Sequence, residues 1–330
     1  MIVSTSFEKL LREKRIALLL SSPRCVLVSF ENDFEKFKDD FMVFCRSNPN
    51  TLILLQIGFE HETEEPAAHL GKFITEFLAS ADGKPQIIVL CNCDNEKQAI
   101  HAYGAETCLI NHNIFLDERR YCPFYGKRPY DAAYIARLTP FKRHGLLPTE
   151  LAPKLLLLGA NERKEEREYA EGIRQKYSES TWIPFFSGAR VSEYLAKAKC
   201  GLALSASEGA CFASSEYFLC GLPVVDTPAL GGRNVLYPDE YVKVVEPNPE
   251  AIAEGIAYWA ANPPDPDKVR AAWLDKVKPY RDEFLKLMFE LTGRSFPIPH
   301  KLGIRTPHPG QAYSIAIKFY LFVKSWLSRI

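Results

Sequence analysis

The chain has no surplus of charge: forty-one Lys and Arg balance forty-one Asp and Glu over 330 residues, for a formal net charge of zero. A general nucleic-acid binder needs a basic excess to displace counterions from phosphate, so that class is set aside and no nucleic-acid partner is expected. The sequence also lacks any run approaching the roughly 18–20 apolar residues of a membrane span. Its first 22 residues, MIVSTSFEKLLREKRIALLLSS, carry charges inside their apolar stretch and offer no clean small-residue cleavage site, so they read as a helix and not as a secretion signal. Nine cysteines are an odd number scattered through apolar runs. They make no disulfide framework and read as buried thiols in a reducing, cytoplasmic compartment. Cys91 and Cys93 form a CxC with no second Cys/His pair at zinc-binding spacing, so no metal site is expected. No GxGxxG follows the first strand of either half, which disfavours an NAD dehydrogenase.

What is present is the composition of a soluble globular protein, 47% hydrophobic and 25% charged, with length enough for two domains. Short apolar runs alternate with helical stretches, the pattern of an α/β protein with largely parallel sheets. Strands are predicted at 25–30, 51–57, 86–91 and 107–110, with helices at 33–46, 66–80 and 95–103 between them, together one doubly wound unit. The Pro/Gly stretch CPFYGKRP at 122–129 reads as a linker. A second series follows, with strands at 130–136, 154–159, 181–186, 200–204, 223–225 and 243–245. Its helices are predicted at 161–176, 191–198, 213–220 and 249–261, and a long one from 268 to 292. The expected domains are 1–125, 126–294, and 295–330, the last a loop and an apolar helix (313–330) that packs back on the first domain. A membrane-surface role for that last helix is the other reading of its apolar face and its basic residues, a peripheral contact and not a span.

The informative stretch is 205–232, SASEGACFASSEYFLCGLPVVDTPALGG. A strand leads through a loop holding Glu208 into a helix holding Glu216. Backbone N–H groups of Gly209, Ala210, Cys211 and Phe212 can face an anion there, assisted by the positive end of the helix. A carboxylate just behind such an anion site can accept hydrogen bonds from sugar hydroxyls, as an acidic residue does for a ribose in dinucleotide-binding folds. The segment therefore fits a nucleotide diphosphate with a sugar at each end and a glutamate for each.

Glu-x7-Glu after a strand, followed by GLPVV and a Gly-Gly loop, resembles the donor site of retaining GT-B glycosyltransferases of the GT4 type. IARLTPFKRHGLL, KLLLLGANER, IPFFSGARVSEYLAKAKCGLALSASEG and CLINHNIFLDERRYCPF continue that resemblance in the family's order, over roughly residues 105–260. It implies a GT-B fold, two Rossmann-like domains whose parallel sheets face across a cleft. It implies sugar transfer from a UDP- or GDP-sugar to a glycan or other hydroxyl acceptor. Arg137 and Lys142 would neutralise the donor diphosphate, Glu208 would hold the donor sugar and Glu216 the ribose. Gly188, Arg190 and Val191 would line the base, and Thr227 would lie on the same rim. No obligatory cofactor or divalent ion is implied, since the two cations replace one.

The sequence departs from the family in its first domain. Phe30-Glu31-Asn32-Asp33 stands where a glycine-rich loop usually follows the first strand. His61 is the nearest candidate for the family's first-domain histidine, although His61 and His69 read first as solvated residues and His112 as a turn residue. A catalytically weak or inactive nucleotide-sugar-binding protein is therefore the alternative, and a sugar-nucleotide epimerase a third reading that lacks acid/base side chains in the first domain.

Overall fold

The computed structural model describes residues 1–13, 15–159, 164–183, 190–295 and 297–299. The chain divides into two compact units: Met1–Phe115 together with the described residues from Arg281 onward, and Leu116–Tyr280.

The first unit begins with α1 (Thr5–Arg12), capped by the Ser4 hydroxyl, which accepts from the N–H of Phe7 at 3.3 Å. It continues through β1 (Ile16–Leu20), β2 (Val26–Phe30), α2 (Glu31–Lys36), α3 (Lys38–Ser47), β3 (Leu52–Gln56), α4 (Glu64–Ser80), β4 (Gln86–Cys91), α5 (Asp94–His101) and β5 (Glu106–Leu109). Two sequence expectations are corrected here. The N-terminal stretch is a helix only as far as Arg12; IALLL is a strand that pairs antiparallel with β2 at the sheet edge. The helix predicted over 33–46 is two helices, broken at Phe37, where the backbone leaves helical geometry (φ −112°, ψ 28°).

The sheet order is also not the expected doubly wound one. It runs β1-β2-β3-β4-β5, with β2 to β5 parallel and in chain order. Right-handed crossovers that always step the same way place every connecting helix on one face. The packing agrees: Leu27, Ile53 and Ile87, in register across three strands, share one cluster with Phe34, Phe41, Leu70, Ile74 and Ile100 from the helices. The alternate residues Val26, Leu52, Leu54, Ile88 and Leu90 are buried too, so the strands read as continuous apolar runs, as a sheet covered on both faces requires.

The second unit contains β6 (Tyr130–Ile135), β7 (Leu155–Leu158), α6 (Arg167–Lys176), β8 (Thr181–Ile183), α7 (Val191–Leu195), β9 (Ala198–Ala203), α8 (Phe212–Leu219), β10 (Val224–Asp226), β11 (Val242–Val244), α9 (Pro249–Ala261) and the start of α10 (Pro266–Thr292). Its sheet is parallel throughout, in the order β11-β10-β9-β6-β7-β8. The chain first moves outward from β6 to β8, then returns to β9 on the other side of β6. Between β6 and β9 the winding reverses, and in such sheets ligands bind outside the carboxyl ends of the strands at that point. Tyr134, Leu155, Leu157, Cys200 and Leu202 pack there with Ile173, Ile252 and Trp259. All nine cysteines are free, and burial pushes the thiol of Cys200 well up. Among the described residues no helix is long and apolar enough to cross a membrane. The predicted helix at 313–330 lies outside the described residues.

Candidate functional site

Two segments leave the sheet at the reversal point. The first follows β6: Arg137 is exposed, Leu138 and Thr139 are buried, and Pro140–Lys142 makes one tight turn with proline at its first position. Arg143 ends the turn in the left-handed region, with φ 52° and ψ 42°. The second segment follows β9 and carries Ser205–Glu208 before α8.

The two segments meet through a largely buried ion pair. Lys142 Nζ donates to Glu208 Oε1 at 2.8 Å and to Oε2 at 2.6 Å, and the side chains are only 11% and 16% exposed. The Tyr134 hydroxyl donates to the carbonyl of Lys142, tying the turn to the end of β6. The Phe141 ring lies 5.1 Å from Lys142 Nζ and 6.0 Å from Arg137 Cζ, so one aromatic serves both cations.

Two further arginines fix the loops. Arg143 donates from Nε to Leu204 O at 2.6 Å and from Nη2 to Thr227 Oγ1 at 3.0 Å. Arg233, 1% exposed, donates from Nη1 to Ser205 O at 2.8 Å, donates from Nη2 to Thr227 O, and pairs with Asp226 Oδ1 at 2.9 Å. Burial raises the Asp226 carboxyl to about 6 even so, against the pull of Arg233 and the Tyr237 hydroxyl. The Glu208 N–H donates to Leu230 O at 2.9 Å, and the Leu230 N–H to Ala206 O at 3.0 Å. The loop around Glu208 is thus held on both sides before any ligand arrives.

The helix behind it is placed by a close approach. The N–H of Ile135 donates to the Tyr217 hydroxyl at 2.7 Å, across the reversal point from α8 to β6. That reach crosses Gly201 of β9, where a Cβ would lie 2.2 Å from the Tyr217 ring, so the glycine of CGLAL makes room for it. Gly221, at φ 72°, ends the helix in the left-handed conformation. One turn inside α8, Glu216 is partly buried, and Oε1 accepts from the Tyr121 hydroxyl at 2.8 Å. Burial raises its carboxyl to about 7, while the Tyr121 bond and the charge of Arg120 pull the other way.

The structure brings Lys142 together with Glu208, and sets Arg137 on the same aromatic ring. Gly209, Ala210 and Cys211 lead directly into α8, whose first residue is Phe212 and whose N-cap position is Cys211. The first-turn N–H groups there have no intrahelical partners. Arg190 is exposed and pairs with Glu193 at 3.1 Å, and Val191 is buried at the start of α7. The Thr227 hydroxyl is fully buried and engaged by Arg143, so this residue shapes the loop from beneath. Gly188 lies outside the described residues. Sequence reasoning passed over Arg143 and Arg233, although one adjoins Lys142 and the other follows the Gly-Gly pair.

In the first unit, His61 is not solvated as expected. It is buried, its N–H donates to Glu96 at 3.2 Å, and burial lowers its imidazole. His69 is exposed and meets Glu35 at 3.1 Å. His112 is buried in a short helical turn, with Nε2 3.3 Å from Leu90 O, and burial lowers it to about 4. Among the described residues no group of three or more His, Cys, Asp or Glu could hold a metal ion.

Residues 127–273 match the family model described as glycosyl transferases group 1. Among solved structures, sucrose-phosphate synthase from Thermosynechococcus elongatus is 17% identical, with 80% of this chain and 79% of that one covered and a TM-score of 0.57. HepE of Anabaena, solved in complex with UDP and glucose, is 15% identical over 79% of this chain and 77% of that one, at a TM-score of 0.59. TarM is 16% identical at a TM-score of 0.58, over 79% of this chain but 54% of TarM, so this chain spans about half of that protein. No curated protein matches. At these identities the structural likeness shows the fold, that of GT-B glycosyltransferases; together with the family match it indicates a glycosyltransferase.

Proposed function

We propose that this protein is a retaining, GT4-type glycosyltransferase that takes its sugar from a UDP- or GDP-sugar and gives it to a hydroxyl of a glycan or similar acceptor in the cytoplasm. The observation that carries the reading is the largely buried Lys142–Glu208 pair at the point where the second sheet reverses. A lysine and a glutamate that are mostly buried neutralise one another without ligand, yet each keeps capacity for one. The ammonium has three donors and gives two contacts to Glu208, which leaves it able to turn toward a phosphate. Arg137 stands exposed on the same ring, free to meet the other phosphate. Glu208 then accepts from hydroxyls of the donor sugar, and Glu216 from the ribose.

Catalysis in this arrangement is charge stabilisation and positioning. As the bond from the anomeric carbon to the diphosphate oxygen breaks, negative charge grows on the leaving group beside Arg137 and Lys142, where fixed cations count most. The acceptor hydroxyl attacks from the face the diphosphate leaves, and its proton passes to the leaving phosphate oxygen. These cations take the place of a divalent ion, and no cofactor enters the step. The similar structures support such a donor: HepE was solved with UDP-glucose, and a mutant of S. aureus TarM with UDP, fondaparinux and alpha-GlcNAc-glycerol.

A thermal-shift panel of UDP, GDP, ADP and their sugars tests the reading. A ligand at 100 times its dissociation constant adds about 2.7 kcal/mol of stability, which is readily seen. One nucleoside diphosphate and its sugar are expected to stabilise the protein; no shift with any of them would contradict the reading. NMR of the product then decides retention, which requires the anomeric configuration of the donor.

A further inference from the structure

Glu216 has a partner that lies 95 residues away in sequence and outside the matched stretch. Tyr121 is buried, and its hydroxyl donates to Glu216 Oε1 at 2.8 Å. Oε2 makes no hydrogen bond with any described residue. Tyr121 is in turn clamped. Arg270, on α10, donates from Nη1 to Tyr121 O at 2.8 Å and to Leu219 O at 2.7 Å, and from Nη2 to Glu118 O at 2.8 Å. Leu219 is the last residue of α8, the helix that carries Glu216. One guanidinium therefore ties the segment holding the tyrosine to the helix holding the carboxylate. From the start of α7, Ser192 Oγ donates to Arg120 O at 3.1 Å and fixes the same segment from another side.

We propose that Tyr121 is a positioning residue for the nucleoside: its hydroxyl pins one oxygen of the Glu216 carboxylate and presents the other to the vicinal hydroxyls of a ribose. The proposal rests on the reading of Glu216 as the ribose carboxylate. A side chain with three rotatable bonds would otherwise lose its freedom only when the ligand binds, and that ordering cost would be taken from affinity. Here a rigid, clamped phenol holds it beforehand. A phenol can only donate to an ionised carboxylate, so the same bond favours the charged form, the better acceptor for two hydroxyl donors.

The groups that face Glu216 are Tyr121 and Arg120 from the connecting segment and Tyr217 and Cys220 from its own helix, with Arg270 of α10 next to Cys220. Burial dominates and raises the carboxyl to about 7. Ribonucleotide affinity therefore falls as pH drops below about 7, and loss of the phenol moves that midpoint upward.

The test is calorimetry on the full chain with the tightest binder among UDP, GDP and ADP, and with its 2′,3′-dideoxy counterpart, across pH 6–9. Tyr121→Phe, with folding checked by circular dichroism, is expected to lose about ten-fold in affinity for the ribonucleotide at pH 7, the worth of one charge-assisted bond. Its affinity for the dideoxy nucleotide should stay within about two-fold, since no ribose hydroxyl is there to be met. Its pH midpoint should lie above that of wild type. Equal loss for both nucleotides would mean that Tyr121 only supports the structure, and would overturn the proposal. Glu216→Gln separates this from the underlying reading. If it weakens the ribonucleotide while Tyr121→Phe does not, the proposal fails and the ribose role stands. If Glu216→Gln changes nothing, or wild type binds none of the three, the ribose role itself fails and the proposal with it.

Discussion

Lys142 Nζ sits within 2.8 Å of both carboxylate oxygens of Glu208, joining the loop after β6 to the loop after β9. Neither residue is near the other in sequence, and the pair exists because the sheet reverses between those two strands. Its charge, its burial and its place coincide where a diphosphate sugar would lie.

Lys142→Ala should therefore lower turnover by roughly 10²–10³-fold, the range seen when one fixed group facing developing charge is removed. Nucleoside monophosphate affinity should change little, because the proposed role of the lysine is toward the leaving diphosphate. Arg137→Ala should show the same split with a smaller loss, since its side chain is exposed. Steady-state kinetics with the donor found by thermal shift, beside calorimetry with the monophosphate, measures both. Near-normal turnover in both variants would remove the leaving-group role.

Arg233→Ala should cost the second unit much of its stability. It removes two carbonyl contacts and leaves the Asp226 carboxylate buried without its partner. Breaking such a pair from one side costs about 3–5 kcal/mol. The paired change Arg233→Met with Asp226→Asn should cost less than Arg233→Ala alone, as denaturant unfolding will show. If the double variant is the worse of the two, the cost lies in lost packing and not in the orphaned charge.

Acid should find His112 in the first unit. Its imidazole is buried and neutral, lowered to about 4, while the unfolded chain binds that proton below about 6.5. The unfolded state then holds more protons between those values. The contribution to stability is complete above 6.5 and is lost as pH falls toward 4, with a slope of up to about 1.4 kcal/mol per pH unit. His112→Gln keeps a donor for Leu90 O and removes the titration. Stability measured by denaturant from pH 4.5 to 6.5 should depend less steeply on pH in the variant by that amount. Glu96, raised by burial to about 7, acts in the opposite direction but equally in both proteins, so it cancels in the comparison. Equal slopes would contradict the assignment.

Much of this was legible in the sequence, because strand and helix periods and the Glu-x7-Glu stretch are local. The strands QIIVLC and YDAAYI and the helix PEAIAEGIAYWAA fall where their patterns place them. The edge strand Ile16–Leu20 was hidden because a helix and a strand share one short amphipathic stretch, and a run of five apolar residues fits either. The break at Phe37 has no glycine or proline to announce it. The chain-order sheet of the first unit is a matter of which strands pair, and no local pattern encodes that. His61 looked solvated among GFEHETEEP because the buried carboxylate that receives its N–H, Glu96, comes 35 residues later. Tyr121, Arg143 and Arg233 were missed for the same reason: each acts on a residue or carbonyl that only the fold brings near.

The central claim is a location: a nucleoside diphosphate binds the second unit at the carboxyl ends of β6 and β9. Hydrogen exchange read by mass spectrometry, with and without the tightest-binding nucleoside diphosphate, tests it most directly. Backbone amides in 137–143 and in 205–216 should gain protection, above all Gly209–Phe212, whose N–H groups face the proposed phosphate. Saturating ligand that leaves both segments unprotected, while protecting the loops after β2 to β5 of the first unit, would contradict the account.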